Sequence, residues 1–118
     1  MFGKTKHIHF IGIGGIGMSG MAELLHNSDF TITGSDISSS ERVKHLRKIG
    51  IKVFKSHNKK NISNYDLIVF SSAINGNNVE IIKGKELKIP IIKRSELLGE
   101  LIKIKNKSIA VAGTHGKT

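Results

Sequence analysis

Apolar and polar positions along this chain switch repeatedly between a strand-like and a helix-like rhythm. Ile8, Phe10, Ile11 and Ile13 form an apolar run that reads as a strand and leads into Gly12, Gly14 and Gly17. Met18, Met21, Ala22 and Leu25 then recur at helical spacing. Thr31 to Asp36 reads as a second strand ending in small and acidic residues. Ser38-Ser39-Ser40-Glu41 carries helix-start chemistry ahead of Val43, Leu46 and Ile49, and Gly50 suits a C-terminal cap. Ile51 to Phe54 reads as a third strand, and Ser56 to Asn64, which holds His57, as a polar loop. Leu67 to Phe70 is unbroken apolar, as a strand buried on both faces requires. A helix is predicted through Val79, Ile82 and Leu87, weakened by Gly84. Pro90 opens a short strand, Ile91 to Lys93, and Ser95 is placed to cap a helix carrying Leu97, Leu98, Leu101 and Ile102. Lys103 to Lys107 reads as a charged connector and Ser108 to Ala112 as a last strand.

Strands alternating with helices predict an α/β fold with a Rossmann-like, doubly wound parallel sheet. Ligands of such sheets sit beyond the carboxyl ends of the strands, at the switch point. The loops after strands one, two and four are therefore expected to form one site: Gly12 to Gly17, Ser35-Asp36, and Ser71 to Asn75. Gly12, Gly14 and Gly17 fit G-x-G-x-x-G between a strand and a helix. The first glycine permits a sharp turn, the second leaves room for a phosphate against the backbone, and the third lets helix and strand pack closely. The helix N-terminus adds unpaired N–H groups and partial positive charge. The plainer alternative is a close-packed βα corner with no ligand. Asp36 lies about twenty residues past the motif, where a carboxylate can accept from ribose hydroxyls or serve only as a turn or capping residue. Ser71 and Ser72 either cap the next helix or bind a ligand. His57 reads as solvated, His7 and His9 as structural, and His26 and His45 as surface residues of helices. No histidine pair has metal-ligand spacing.

Composition narrows the classes. A length of 118 residues and 38% hydrophobic content suit one domain with a core. No apolar run approaches the roughly 20 residues of a bilayer span, so no membrane insertion is expected. The N-terminal residues read as a first strand rather than a signal peptide. Cysteine is absent, which is compatible with a reducing cytoplasm. The formal charge of +10 raises nucleic acid as a partner. The lysines are scattered, however, and aromatic content is only 5%, so no stacking platform exists and nucleic acid is not expected. A solvated lysine-rich surface explains the charge, and the same field favours an anionic small molecule.

A second phosphate signal closes the chain, Ala110-Val111-Ala112-Gly113-Thr114-His115-Gly116-Lys117-Thr118. Gly-Lys-Thr after a strand is the core of a P-loop, in which backbone amides cradle phosphates, the lysine reaches the outer phosphates and the threonine can hold Mg²⁺. The usual first glycine position, 111, is valine here, so the loop is a shortened variant.

Taken together and in order, HIHFIGIGGIGMSGMAELL, TGSD, SSAI, IKRSELLGEL and AVAGTHGKT resemble the Mur ligases of peptidoglycan synthesis over essentially the whole chain. They look closest to the member that joins L-alanine to UDP-N-acetylmuramate. The related ligase that recycles murein tripeptide shares the architecture but usually differs in its first glycine loop. The resemblance implies a three-domain ATP-dependent enzyme, with residues 1–106 as the UDP-sugar domain and 107–118 as the start of the ATPase domain. It implies that Gly12, Gly14, Gly15, Ile16 and Gly17 bind the UDP diphosphate. Ser35, Asp36, Ser71, Ser72, Ala73 and Ile74 would line the uridine and phosphate pocket, and His57 matches a histidine of that region. Gly113, Thr114, His115, Gly116, Lys117 and Thr118 would hold ATP, Lys117 stabilising charge on the transferring phosphoryl group and Thr118 ligating Mg²⁺. The muramate carboxylate would be activated as an acyl phosphate, which the alanine amine attacks to give amide, ADP and phosphate. The sequence stops at Thr118, before the helix that completes a P-loop, so this stretch alone is expected to bind the UDP-sugar without catalysing the reaction. Two other readings stay open. A nicotinamide-binding module explains Gly12, Gly14, Gly17 and Asp36 but not the second loop, and a basic adaptor explains neither.

Overall fold

A computed structural model describes residues 5–100. The expected connector, the last strand and the loop Gly113 to Thr118 lie outside the described residues, as does the proposed boundary at 106. Five strands form one parallel sheet: β1 (His7–Ile11), β2 (Thr31–Ser35), β3 (Lys52–Phe54), β4 (Leu67–Phe70) and β5 (Ile91–Lys93). Their spatial order is β3-β2-β1-β4-β5. The order reverses between β1, which pairs Ile8 with Ile32 on one side, and β4, whose Leu67 pairs with Ile8 on the other. Three helices connect them: α1 (Met18–His26), α2 (Glu41–Lys48) and α3 (Val79–Glu86). Residues 94–100 are also helical.

The two faces of the sheet are built differently. Ile8 and Phe10 of β1, Ile32 of β2, and Leu67 and Val69 of β4 meet α1 and α2 through Met18, Ala22, Leu25, Val43 and Leu46. Leu97 joins this cluster from the helical residues 94–100. The opposite face is covered by α3 and has a smaller apolar cluster, Ile11, Ile62, Tyr65, Ile68, Ile81 and Ile89. Fully burying such side chains stabilises by about 1.5–3 kcal/mol each. Among the described residues no helix is long and apolar enough to cross a membrane.

Two expectations about helices are corrected. Val79 and Ile82, read as the apolar face of α3, are 48% and 45% exposed, and α3 buries Glu80, Ile81 and Gly84 instead. The reason is close packing: a Cβ on Gly84 would lie 2.6 Å from Ile68 Cδ1, so the glycine is the contact that seats α3 on β4. Ser95 is not a cap, because the helix already includes residue 94, and Glu96 Oε1 instead accepts from the Lys93 amide at 2.9 Å. Ser40 does cap α2, accepting from Val43 N at 3.4 Å.

Candidate functional site

The glycine loop follows β1 at the switch point. Gly12 and Gly17 have φ of +79° and +83°, a region that side chains with a Cβ disfavour. The Gly12 and Ile13 amides both donate to Ser35 O, at 2.8 and 3.1 Å, which ties the loop to the end of β2. Gly17 is the N-cap of α1 and provides no side-chain acceptor. The Met18 and Ser19 amides turn back to Gly15 O, at 3.0 and 3.2 Å. Among the described residues the Ile16 and Gly17 amides take no protein acceptor, and the Ile16 side chain is 86% exposed. An anion set against this turn finds two free donors at the positive end of a nine-residue helix. The Arg94 guanidinium flanks the same turn, since a Cβ on Gly17 would lie 3.3 Å from its Cζ.

Packing by itself requires a glycine at position 14. A Cβ there would lie 2.5 Å from Val43 Cγ2 and 2.9 Å from Asp36 Oδ2, so the space is filled by protein. Asp36 is buried, and both its oxygens are engaged: Oδ2 accepts from Gly14 N at 2.7 Å and Oδ1 from Ser38 N at 2.8 Å. Of the two roles open to it, the turn-forming one is visible, binding the glycine loop to the start of the β2–α2 connection. Arg42, which the sequence did not single out, donates from Nε to Gly14 O at 2.7 Å and closes the same corner.

The loop after β4 approaches from the other side of the reversal. Ser71 N donates to Ile11 O at 3.3 Å, and a Cβ on Gly12 would lie 2.9 Å from Ser71 Oγ and 3.2 Å from Ile74 Cδ1. Ser72 and Ala73 lie exposed in the turn that follows. Neither serine caps the next helix: Asn78 is the N-cap of α3, its side chain accepting from Glu80 N at 2.8 Å. Gly12, Gly14, Ser35, Asp36, Ser71 and Ile74 are thus brought together at one edge.

His57 joins them through Ser35. Its Nδ1 lies 2.9 Å from Ser35 Oγ and 3.7 Å from Glu80 Oε2, and its side chain is 17% exposed rather than solvated. Glu80, which the sequence did not single out, is fully buried. Its Oε1 accepts from His9 Nε2 and Ser35 Oγ, both at 2.8 Å. Its Oε2 accepts from Asn58 N at 3.0 Å and Asn61 Nδ2 at 2.8 Å. Burial pushes the Glu80 carboxyl up, but the hydrogen bonds from His9, Asn61 and Ser35 outweigh it and hold the group below its ordinary range. Nδ1 of His9 meets Thr33 Oγ1 at 2.8 Å, and the ring stacks on Tyr65 at 4.8 Å, whose hydroxyl donates to Asn61 O. Burial and the neighbouring His9 lower the His7 pKa, against Asp66, which raises it. The structural role read for His7 and His9 holds. A signal for this network was present: His7 and His9 on β1, and Thr31, Thr33 and Ser35 on β2, recur at period two. In a sheet covered on both faces such a polar face needs a buried partner. Among the described residues no group of three or more His, Asp or Glu is arranged to hold a metal ion.

Comparison with known proteins places this arrangement. Residues 7–106 match the family described as "Mur ligase family, catalytic domain". The chain belongs to the Mur ligase family. Among curated members, the UDP-N-acetylmuramate–L-alanine ligase of Sulfurihydrogenibium sp. is 52% identical over 116 residues, covering 98% of this chain and 25% of that protein. The ligase of the same name from Acetivibrio thermocellus is 52% identical over 115 residues, covering 98% and 24%. The crystal structure of the UDP-N-acetylmuramate-alanine ligase of Thermotoga maritima superposes with a TM-score of 0.79 at 36% identity, over 82% of this chain and 23% of that one. A UDP-N-acetylmuramate:L-alanyl-gamma-D-glutamyl-meso-diaminopimelate ligase from Neisseria meningitides superposes with a TM-score of 0.73 at 26% identity, over 81% and 31%. This Mur ligase chain spans about a quarter of the length of the curated relatives.

Proposed function

We propose that this chain is the UDP-sugar-binding part of an ATP-dependent, cytoplasmic ligase that joins L-alanine to UDP-N-acetylmuramate. The observation that carries the reading is the glycine loop at the strand-order reversal, with the Ile16 and Gly17 amides free of protein acceptors beside Arg94. A nucleotide diphosphate suits those donors in charge and in hydrogen-bonding capacity. The activity of the named ligases that are about half identical to this chain over nearly its whole length supports a UDP-sugar over a dinucleotide. In this reading Gly12, Gly15, Ile16 and Gly17 hold the diphosphate, and Gly14 and Asp36 keep the loop in shape. Ser35, His57 and the segment Ser71, Ser72, Ala73 and Ile74 border the nucleoside. Gly113, Thr114, His115, Gly116, Lys117 and Thr118 serve ATP, with Thr118 toward Mg²⁺, on the strength of their sequence. Residues 1–106 then form one functional unit and 107–118 begin the next.

Calorimetric titration tests the reading. UDP and UDP-N-acetylmuramate are expected to bind more tightly than NAD. Tighter binding of NAD overturns the ligase reading in favour of a nicotinamide module.

A further inference from the structure

The buried network around Glu80 has a direction, and that direction ends on His57. Glu80 is held as a carboxylate with four donors on its two oxygens, so it accepts only. Ser35 has a single hydroxyl proton, and the 2.8 Å bond to Glu80 Oε1 uses it. The Ser35 oxygen is then left to accept, and its remaining neighbour is His57 Nδ1 at 2.9 Å. That nitrogen must therefore carry the hydrogen. The second Glu80 oxygen, 3.7 Å from the same nitrogen, favours the same placement. In the neutral ring Nε2 is consequently bare, and among the described residues it has no protein partner. Ser35 also receives the Gly12 and Ile13 amides on its carbonyl, so the residue that orients His57 is the one that anchors the glycine loop.

We propose that Glu80 and Ser35 are positioning residues that lock His57 as the Nδ1–H tautomer, so that Nε2 presents a lone pair to a hydrogen-bond donor of the bound nucleotide, a hydroxyl or ring N–H, and not to a phosphate oxygen. The proposal rests on the nucleotide reading above for the identity of the ligand, but the tautomer is a property of the chain by itself. Glu80→Gln provides a test with a sign. The Asn58 amide is an obligatory donor, so the carbonyl oxygen of the introduced side-chain amide must stay on that side and its NH₂ must face Ser35 and His9. Ser35 then accepts from that NH₂, and its own proton turns to His57 Nδ1. The tautomer inverts.

The experiment is nitrogen NMR of the histidine rings in the chain at about pH 8, where an ordinary imidazole is neutral. Wild type is expected to show Nδ1–H at His57 and Glu80→Gln to show Nε2–H, with UDP affinity lowered about tenfold for the one bond lost. Should Glu80→Gln fail to fold, Ser35→Ala is the second variant: Nδ1 loses its 2.9 Å acceptor and keeps only the weaker pull of Glu80 Oε2 at 3.7 Å, so the Nε2–H form is expected to rise to a measurable share beside Nδ1–H. An Nε2–H ring in wild type overturns the proposal. So does a folded Glu80→Gln or Ser35→Ala chain whose His57 tautomer is unchanged. Addition of UDP to wild type is expected to shift the Nε2 resonance, and binding without that shift removes His57 from ligand contact and overturns the specificity claim. Failure of UDP to bind wild type at all overturns the nucleotide reading instead, and is told apart because the tautomer is read before ligand is added.

Discussion

Replacing Gly14 by alanine tests whether the glycine loop is shaped by its protein neighbours. The new Cβ meets Val43 Cγ2 at 2.5 Å and Asp36 Oδ2 at 2.9 Å, and both atoms must move. Overpacking of this kind costs about 1–3 kcal/mol. If Asp36 yields, the 2.7 Å bond from the Gly14 amide to its carboxylate is weakened, and a bond to a charged group contributes about 1.5–3 kcal/mol. Gly14 has no positive φ, so alanine gains about 0.4–1 kcal/mol from the stiffer unfolded chain. The net expectation is a loss of about 2–4 kcal/mol, or roughly 10–20 °C in Tm for a domain of this size. Denaturant and thermal unfolding measure it. Gly20→Ala is the control: nothing lies within 4 Å of a Cβ there, and within α1 alanine is worth about 1 kcal/mol more than glycine. In the double variant Gly14→Ala/Val43→Ala, part of the clash is relieved, so the combined loss is expected to be smaller than the sum of the two. A Gly14→Ala chain as stable as wild type would refute the argument. Strictly additive losses would place the clash elsewhere than on Val43.

Further expected outcomes concern the face of α3, the buried titratable groups and, from its sequence alone, the second glycine loop. Ile81→Ala is expected to cost about 2–5 kcal/mol, whereas Ile82→Ser stays within about 0.5 kcal/mol, and comparable losses in chemical denaturation would contradict the orientation of α3. Acid destabilises the chain in two stages: His7, lowered from 6.5, binds its proton more readily when unfolded, so stability begins to fall near pH 6.5. The Glu80 contribution, fully present above 4.5, is lost as pH falls through its lower folded value; His7→Gln should remove the first stage and leave the second in unfolding curves taken across pH. In the intact ligase Lys117→Ala is expected to lower turnover by about 10²-fold while ATP and UDP-N-acetylmuramate binding change far less; near-normal turnover would remove Lys117 from the transferring phosphoryl group.

What could be read from the sequence were the features that local chemistry decides. The strand–glycine–helix order, the unbroken apolar β4 and the serine ahead of α2 each follow from short-range rules, and they placed the three loops at one edge. What was missed depends on long-range pairing. Glu80 has the character of a solvated helix residue until His9, Ser35, Asn58 and Asn61 are found around it, and those come from three separate parts of the chain. With Glu80 turned inward, Val79 and Ile82 must turn outward, which is why the face of α3 was misread. Arg42 and Arg94 were hidden in a basic background, where nothing in their spacing distinguishes them from surface charge.

The position of β1 has a consequence for assembly. The strand nearest the N-terminus is the middle of the sheet, with neighbours that emerge from the ribosome at very different times. Thr31 to Ser35 can dock early, together with the two helices of the larger apolar cluster, but Ile8 waits for Leu67 before its other side is hydrogen-bonded. Until then a nascent chain carries an open, apolar strand edge, a species prone to sticking to its own kind. Closing that edge joins residues distant in sequence and is the slow step expected of parallel topology. It also brings Glu80 against His9, so the buried carboxylate gains this donor as the half-built sheet stops being sticky.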